Sequence, residues 1–533
     1  MRVIEILINS AIESLQTSTM FINISDVFPG LYSVDFMIIA RNCTGIAMML
    51  LVFSSYKKKQ LFNLPNIIWT ILCVVTILLL PYYKRWTNAT FHLYQMQTVI
   101  INVWWMVIAI AKIIKEIFID KVLKIRLGVA SGIWIAMSLF MFVSVNDNHI
   151  WPAWYLLMFG ILFLTNYSAK DKAQLWDGMI DGSIWGFIIV QILAFTLRPY
   201  DELRYKGMHG NCNMAGIYYL IIYVMCLYKL HCLELKGAKK WRKIVCLLLA
   251  GMTLSLQFMS LSRTAWIVAV IVTLLYGIIV VKQLWNKKWH QVLFRGVLIV
   301  LAMAIMFVPT FMAARWIPAK TDVRLWHIGE YGKSWYVYVT DEDTSEKYIE
   351  LDEFMEAALG RVAYIFKTAK AYNPLVMKSY ALEEVELVES DLLTDTAMRI
   401  RLTIYREYLG NLEWFGHTNA DGHLQVKDME DQIWHAQNVW LQVLYFYGIF
   451  AGVLFLGLTI VILVINYKKI IKNPENPYAI IPFLFCIIFF CFGLMEVVWY
   501  LGQLSLFLIY FVHQPLDNTH LIEKRSLESE DKN

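Results

Sequence analysis

The residues best equipped for chemistry fall in three short strings rich in guanidinium and amide groups. The first, LRYKGMHGNCNMAG (Leu203 to Gly216), carries Arg204 and Lys206, with Arg198 just upstream. Gly207 and Gly210 permit tight turns there, and Asn211 and Asn213 are suited to cap the helix that follows. The second, SLSRTAW (Ser260 to Trp266), sets Arg263 between two apolar runs with almost no loop. Its guanidinium either snorkels to the membrane interface or binds a ligand, and a planar fork of donors suits a pair of phosphate oxygens. The third region joins RIRLTIYREYL (Arg399 to Leu409), with Arg399, Arg401 and Arg406 on or near one helix, to WHAQNVWLQVLYFYGIFAG (Trp434 to Gly452). There His435, Gln437, Asn438 and Gln442 stand where the chain turns apolar, and a helix start offers free amide donors to an anion. The shared chemistry is the holding of an anion by fixed cations, with His435 able to take a proton near neutral pH. Plainer readings exist for each: head-group anchoring for Arg204 and Lys206, surface charge for the loop arginines, capping for Asn438, and an interfacial histidine for His435.

The elements that must position these strings are membrane helices. The chain has 533 residues, 59% of them hydrophobic and 17% charged, and its apolar runs approach the roughly 20 residues a helix needs to cross hydrocarbon. Candidate spans cover 36–54, 64–82, 95–112, 127–144, 150–166, 179–197, 212–229, 244–261, 264–281 and 293–314, then 438–465, 478–495 and 497–512. The fold class expected is an all-α polytopic membrane protein of about 12–13 transmembrane helices. The net charge of +5 does not point to nucleic acid, because Lys and Arg cluster between spans: Lys57 to Lys59, Lys112 to Arg126, Lys236 to Lys243, Lys282 to Lys288 and Lys468 to Lys472. These clusters recur in alternate connections, which marks that face as cytoplasmic. The domain plan is then an amphipathic or irregular lead-in over 1–35, membrane helices over 36–315, an extracytoplasmic segment over 316–433, returning helices over 434–513 and a cytoplasmic tail over 514–533. All three strings fall on the outer side, where cations run against the topological rule.

The 316–433 segment holds none of the eight cysteines, so it must fold by packing without a disulfide framework or a Cys-based zinc site. Its HIGEYGKSWYVYV stretch (His327 to Val339) alternates like a short hairpin, an acidic stretch follows over 341–357, and helical spacing appears over 358–371 and 394–412. It is a small, mainly helical cap. The run Asp341, Glu342, Asp343 reads as solvated acid and no metal or cofactor is expected. Arg41, Asp181 and Glu496 are charges at membrane depth, where they commonly face a cavity or a partner.

Taken in order, the strings resemble the O-antigen ligase and O-antigen polymerase superfamily over roughly residues 198–455. The matching positions are Arg204, Gly207, Gly210, Asn211, Asn213 and Ala215; then Ser262 and Arg263; then Arg401 ahead of Tyr405; then Asn438, Leu441, Gln442, Gly448 and Gly452. Cys212 stands where the family usually has proline, and Gln437 stands where it has histidine, with His435 two residues earlier. The resemblance implies a GT-C-like fold with one large outer loop, in the bacterial cytoplasmic membrane. It implies metal-independent, inverting transfer of a glycan from an undecaprenyl-diphosphate carrier to a hydroxyl of a glycan, lipid or wall acceptor on the outer face. Other polysaccharide-assembly membrane proteins are the partners it implies. In that reading Arg204, Arg263 and Arg401 neutralise the departing diphosphate, His435 takes the acceptor proton, and Asn211, Asn213, Gln437, Asn438 and Gln442 bind substrate. A lipid-linked oligosaccharide flippase or other polytopic transporter is the competing expectation, and a receptor or assembly protein that holds a partner on its outer cap is a third.

Overall fold

The structure, a computed structural model, describes residues 61–87, 93–121, 128–147, 149, 152–153, 155–156, 169–197, 204–207, 212–284, 289–321, 351–371, 401, 403–418, 435–472 and 477–496. The candidate spans 36–54 and 497–512, most of 150–166, and the expected hairpin at 327–339 lie outside the described residues.

Among the described residues there are helices and no strands. In chain order they are α1 (Leu64–Thr87), α2 (Leu93–Ile114, continued by a π-helical turn at Lys115–Ile119), α3 (Val129–Val143), α4 (Ala169–Leu197), α5 (Cys212–Leu235), α6 (Lys240–Met259), α7 (Arg263–Leu284) and α8 (Trp289–Thr321). Then come α9 (Leu351–Ala371), α10 (403–410), α11 (Val439–Tyr447), α12 (Ile449–Lys472) and α13 (Pro477–Gly493). Five of them, α1, α5, α6, α8 and α12, are long and apolar enough to cross a membrane. The chain is thus a helical protein with the build of a polytopic membrane protein.

Helix α5 is the centre of the bundle. Every residue from Ile217 to Tyr228 is buried, as expected of a helix that is apolar all round. It is enclosed by α4, α6, α7 and α13. By contrast α1 turns Ile71, Leu72 and Leu79 outward, and α8 does the same with Val297, Val300 and Ile305. Apolar faces of this extent are stable only against lipid or another apolar surface. Asp181 on α4 is partnered: Lys229 of α5 brings its Nζ within 2.6 Å of the carboxylate. Near the same end of α5, Glu234 pairs with Arg295 of α8 at 2.6 Å. Paired in this way, the charges are carried along helices that otherwise present apolar surface.

The span expected over 438–465 is broken. Helix α11 ends at Tyr447, Gly448 adopts φ +90°, and α12 restarts at Ile449. The break is held by the 411–418 segment, in which Gly416 has φ +78°. Ile449 N–H donates to the Glu413 carbonyl at 3.1 Å and His417 N–H to that of Phe446 at 3.3 Å. The His417 ring stacks on Tyr445 at 4.0 Å. A Cβ on Gly448 would meet Gly416 N and Phe415 Cα at 2.7 Å, so both the dihedral and the close approach of two backbones require glycine. Helix α9 is already formed at Leu351, seven residues before the expected start at 358. Helix α8 runs to Thr321, past the expected boundary at 316.

Candidate functional site: a guanidinium and amide cluster at the helix ends

The cluster is built from the segments that carry the three strings. Ahead of α5, Tyr205 N–H donates to the Met259 carbonyl at the end of α6 (3.0 Å), and its buried hydroxyl accepts from Gln191 Nε2 of α4 (3.1 Å). These contacts seat Arg204 on the α6–α7 turn. Its Nε donates to the Ser260 carbonyl at 3.3 Å and its Nη2 to Asn213 Oδ1 at 3.2 Å. Ser262 Oγ donates to the same Asn213 oxygen at 2.9 Å, and Asn213 Nδ2 donates to Glu496 Oε1 at 2.6 Å. Asn213, expected as a helix cap, is therefore the hub that joins Arg204, Ser262 and Glu496. Asn211 lies outside the described residues. One turn along α5, Gly216 admits the turn closely: a Cβ there would lie 2.8 Å from Ala265 Cβ and 3.3 Å from Ser262 Cβ.

The α6–α7 turn is under strain. Leu261, fully buried, has φ +49°, a left-handed conformation that costs an L-residue about 1–2 kcal/mol. It turns the chain so sharply that Arg263 is already the first residue of α7. The carbonyl of Leu261 accepts from Arg361 Nη1 at 3.2 Å. Arg361 is carried by α9, which docks through fully buried Phe354 into an aromatic box of Phe258, Phe307 and Phe311, with ring centroids 5.4–5.8 Å away. Burial, then the like charges of Arg204 and Arg263, lower the Arg361 pKa from 12.5 to about 10. Arg361 thus lies within reach of the positive charge of two other segments of the chain.

The return to the membrane supplies the other side. Helix α10 packs on α11 through Ile404, Tyr408, Ala436, Leu441 and Tyr445. Beside it, Arg401 Nε donates to Gln437 Oε1 at 2.9 Å, and Arg401 Nη2 lies 4.0 Å from Glu496 Oε1. Gln437 is a second strained position, φ +49°. Its turn is held by Gln442, whose Oε1 accepts from Ala436 N–H at 2.6 Å, and by Asn438, which caps α11 by accepting from Leu441 N–H at 3.0 Å. The Tyr405 hydroxyl donates to the Leu494 carbonyl at 2.6 Å, tying α10 to the end of α13 just before Glu496.

Contacts therefore gather Arg204, Asn213, Ser262, Glu496, Arg401 and Gln437 in one network. Arg361 joins through the α6–α7 turn, and Arg263 follows Ser262 of the network as the first residue of α7. Asn438 and Gln442 shape the turn that presents Gln437. His435 is set apart: among the described residues it makes no hydrogen bond or ion pair to the arginines, its Nδ1 is buried without a partner, and burial lowers its pKa below 6.5. In the sequence nothing sets Arg361 apart from any charge on an exposed helix. Glu496 carries one sequence signal, a charge at membrane depth. Among the described residues, no group of three or more His, Cys, Asp or Glu side chains is placed to hold a metal ion.

Compared with known proteins, the chain matches no family model, no curated protein and no solved structure. What the fold and the cluster define is a class: a helical bundle with membrane-length apolar helices that collects guanidinium and amide donors at its helix ends. Chemically, such a cluster can hold a polyvalent anion, because its donors are fixed, partly desolvated and already hydrogen-bonded in place.

Proposed function

We propose that the chain is a membrane glycosyltransferase that moves a glycan from an undecaprenyl-diphosphate carrier to an acceptor hydroxyl on the outer face of a bacterial cytoplasmic membrane, as an O-antigen or capsular polysaccharide polymerase or ligase. The observation that carries the reading is that hydrogen bonds and the Arg401–Glu496 ion pair tie Arg204, Arg361 and Arg401, from segments far apart in sequence, into one network at the helix ends, with Arg263 directly after Ser262 of that network. A sugar diphosphate needs that arrangement. When the anomeric C–O bond breaks, negative charge develops on the leaving phosphate, and fixed guanidiniums in a site of low dielectric stabilise it with little reorganisation. A polyprenyl tail needs apolar helix faces open to lipid, of the kind α1 and α8 present. In this reading the transfer inverts the anomeric centre and the arginines do the work a divalent cation does elsewhere.

The test is glycan transfer by purified protein from a lipid-diphosphate-linked glycan to an acceptor, with Arg204, Arg263 and Arg401 changed singly to alanine. Loss of oriented, charge-stabilising donors of this kind lowers turnover by about 100-fold or more. Normal transfer by Arg263→Ala and Arg401→Ala refutes the mechanism. Movement of the carrier across liposomes without transfer to any acceptor selects the flippase reading.

A further inference from the structure

We infer that Glu496, and not His435, is the base that takes the acceptor's proton. This rests on the glycosyl-transfer reading above. Glu496 stands beyond the end of α13 and is 9% exposed. Its Oε1 accepts from Asn213 Nδ2 at 2.6 Å and lies 4.0 Å from Arg401 Nη2. Through Asn213 it is one side chain away from Arg204 and Ser262. It is the carboxylate that the described residues bring into the network, and it meets the network between the Arg204 side and the Arg401 side. An acceptor that attacks in line comes from the face of the sugar opposite the diphosphate, so the base must stand at the edge of the guanidinium cluster, and among the described residues the partners of Glu496 are on its Oε1.

The step balances as follows. The acceptor oxygen forms a bond to the anomeric carbon as its proton passes to the Glu496 carboxylate. The anomeric C–O bond breaks, and its electron pair leaves on the diphosphate facing the guanidiniums. The groups that face Glu496 and set its titration are Arg401 beside α10, Arg204 ahead of α5, Tyr405 on α10 and the neutral Asn213. Burial pushes the carboxyl above its ordinary 4.5, against the downward pull of the Asn213 hydrogen bond, Arg401 and Arg204. A carboxylate moved toward neutrality in this way is a better base near pH 7 than a free one. Among the described residues neither a hydrogen bond nor an ion pair links His435 to the network, and its Nδ1 is buried without a partner.

The experiment uses full-length protein in proteoliposomes with a lipid-diphosphate-linked glycan and acceptor, comparing the wild type with Glu496→Gln, Glu496→Asp and His435→Gln. Thermal stabilisation by inorganic pyrophosphate serves as the check on the anion site. Gln keeps an oxygen for Asn213 but cannot take a proton. The expected result is that Glu496→Gln loses about 100-fold or more in transfer while keeping pyrophosphate stabilisation. Glu496→Asp should retain a measurable rate with an acid limb in its pH profile, and His435→Gln should keep the wild type's acid limb. The inference is overturned if Glu496→Gln transfers at a rate close to wild type, or if the acid limb persists in that variant and vanishes in His435→Gln. If the wild type is stabilised by pyrophosphate but transfers no glycan, it is the glycosyl-transfer reading that fails. If Glu496→Gln does not fold, Glu496→Asp decides: a reduced rate that keeps an acid limb supports the base, and a rate and acid limb both equal to the wild type's overturn the inference.

Discussion

Substituting Gly448 by alanine is expected to disrupt the elbow that presents Gln437 and Asn438 to the cluster. The position has φ +90°, and a Cβ would meet the Gly416 nitrogen and Phe415 Cα at 2.7 Å and press on the Trp414 carbonyl. The obstacles are backbone atoms, so no rotamer change relieves them. The backbone conformation, φ +90° with ψ 167°, costs an L-residue about 1–3 kcal/mol, and forced overlap in a packed site adds about 1–3 kcal/mol, for a loss of about 2–6 kcal/mol. Gly457, nine residues on in α12, provides the control: nothing lies within 4 Å of a Cβ there. Gly457→Ala should therefore gain about 0.5–1 kcal/mol from helix propensity. The assay is equilibrium unfolding of both variants in one detergent, followed by tryptophan fluorescence. Opposite signs are expected. Equal stability of the two variants would refute the claim that a backbone crossing, and not ordinary helix packing, fixes the α11–α12 break.

Further outcomes follow from particular contacts. Asn438→Ala removes the cap of α11 and should cost about 0.5–2 kcal/mol, whereas Asn438→Asp should restore most of it, by the same unfolding assay. Phe354→Ala empties the aromatic box under α9 and should cost about 3–5 kcal/mol, read as unfolding together with faster proteolysis of the 351–371 helix. His435 is held neutral by burial, with its pKa below the unfolded value of 6.5, so below pH 6.5 the unfolded chain binds the extra proton first and stability falls with falling pH. His435→Gln should flatten that acid-side slope in unfolding curves taken across pH. Lys229→Met should leave Asp181 unpaired and reduce the yield of folded protein, and adding Asp181→Asn should recover it.

Much of the membrane architecture is legible in the sequence because the runs from Leu64, Leu93, Cys212, Lys240 and Trp289 are apolar over a full span and bounded by charge or turn residues. The Gly448 break is not, since Val439–Tyr447 and Ile449–Lys472 are both apolar and a helix interruption between them leaves hydropathy unchanged. A glycine inside an apolar run looks the same whether it is helical, as at Gly457, or left-handed, as at Gly448. In the cluster, Arg204, Asn213, Arg263, Arg401 and Gln437 could be singled out by local pattern, but their joining could not. It depends on Glu496, more than 280 residues from Asn213 in sequence, and on the strained turn at Leu261 that exposes a carbonyl to Arg361. Asn213 shows the limit of local rules: its type and place fit a helix cap, yet its side chain is committed to tertiary hydrogen bonds.

The central claim is that guanidiniums from separate segments hold one diphosphate. Its most direct test is the affinity of the purified protein for a non-transferable polyprenyl-diphosphate glycan analogue, with Arg204, Arg263, Arg361 and Arg401 changed singly to alanine. Each charge-assisted contact is worth about 1.5–3 kcal/mol, so each variant should bind about 10- to 150-fold more weakly, and added salt should narrow the differences. Binding by all four variants as tight as wild type would contradict the account.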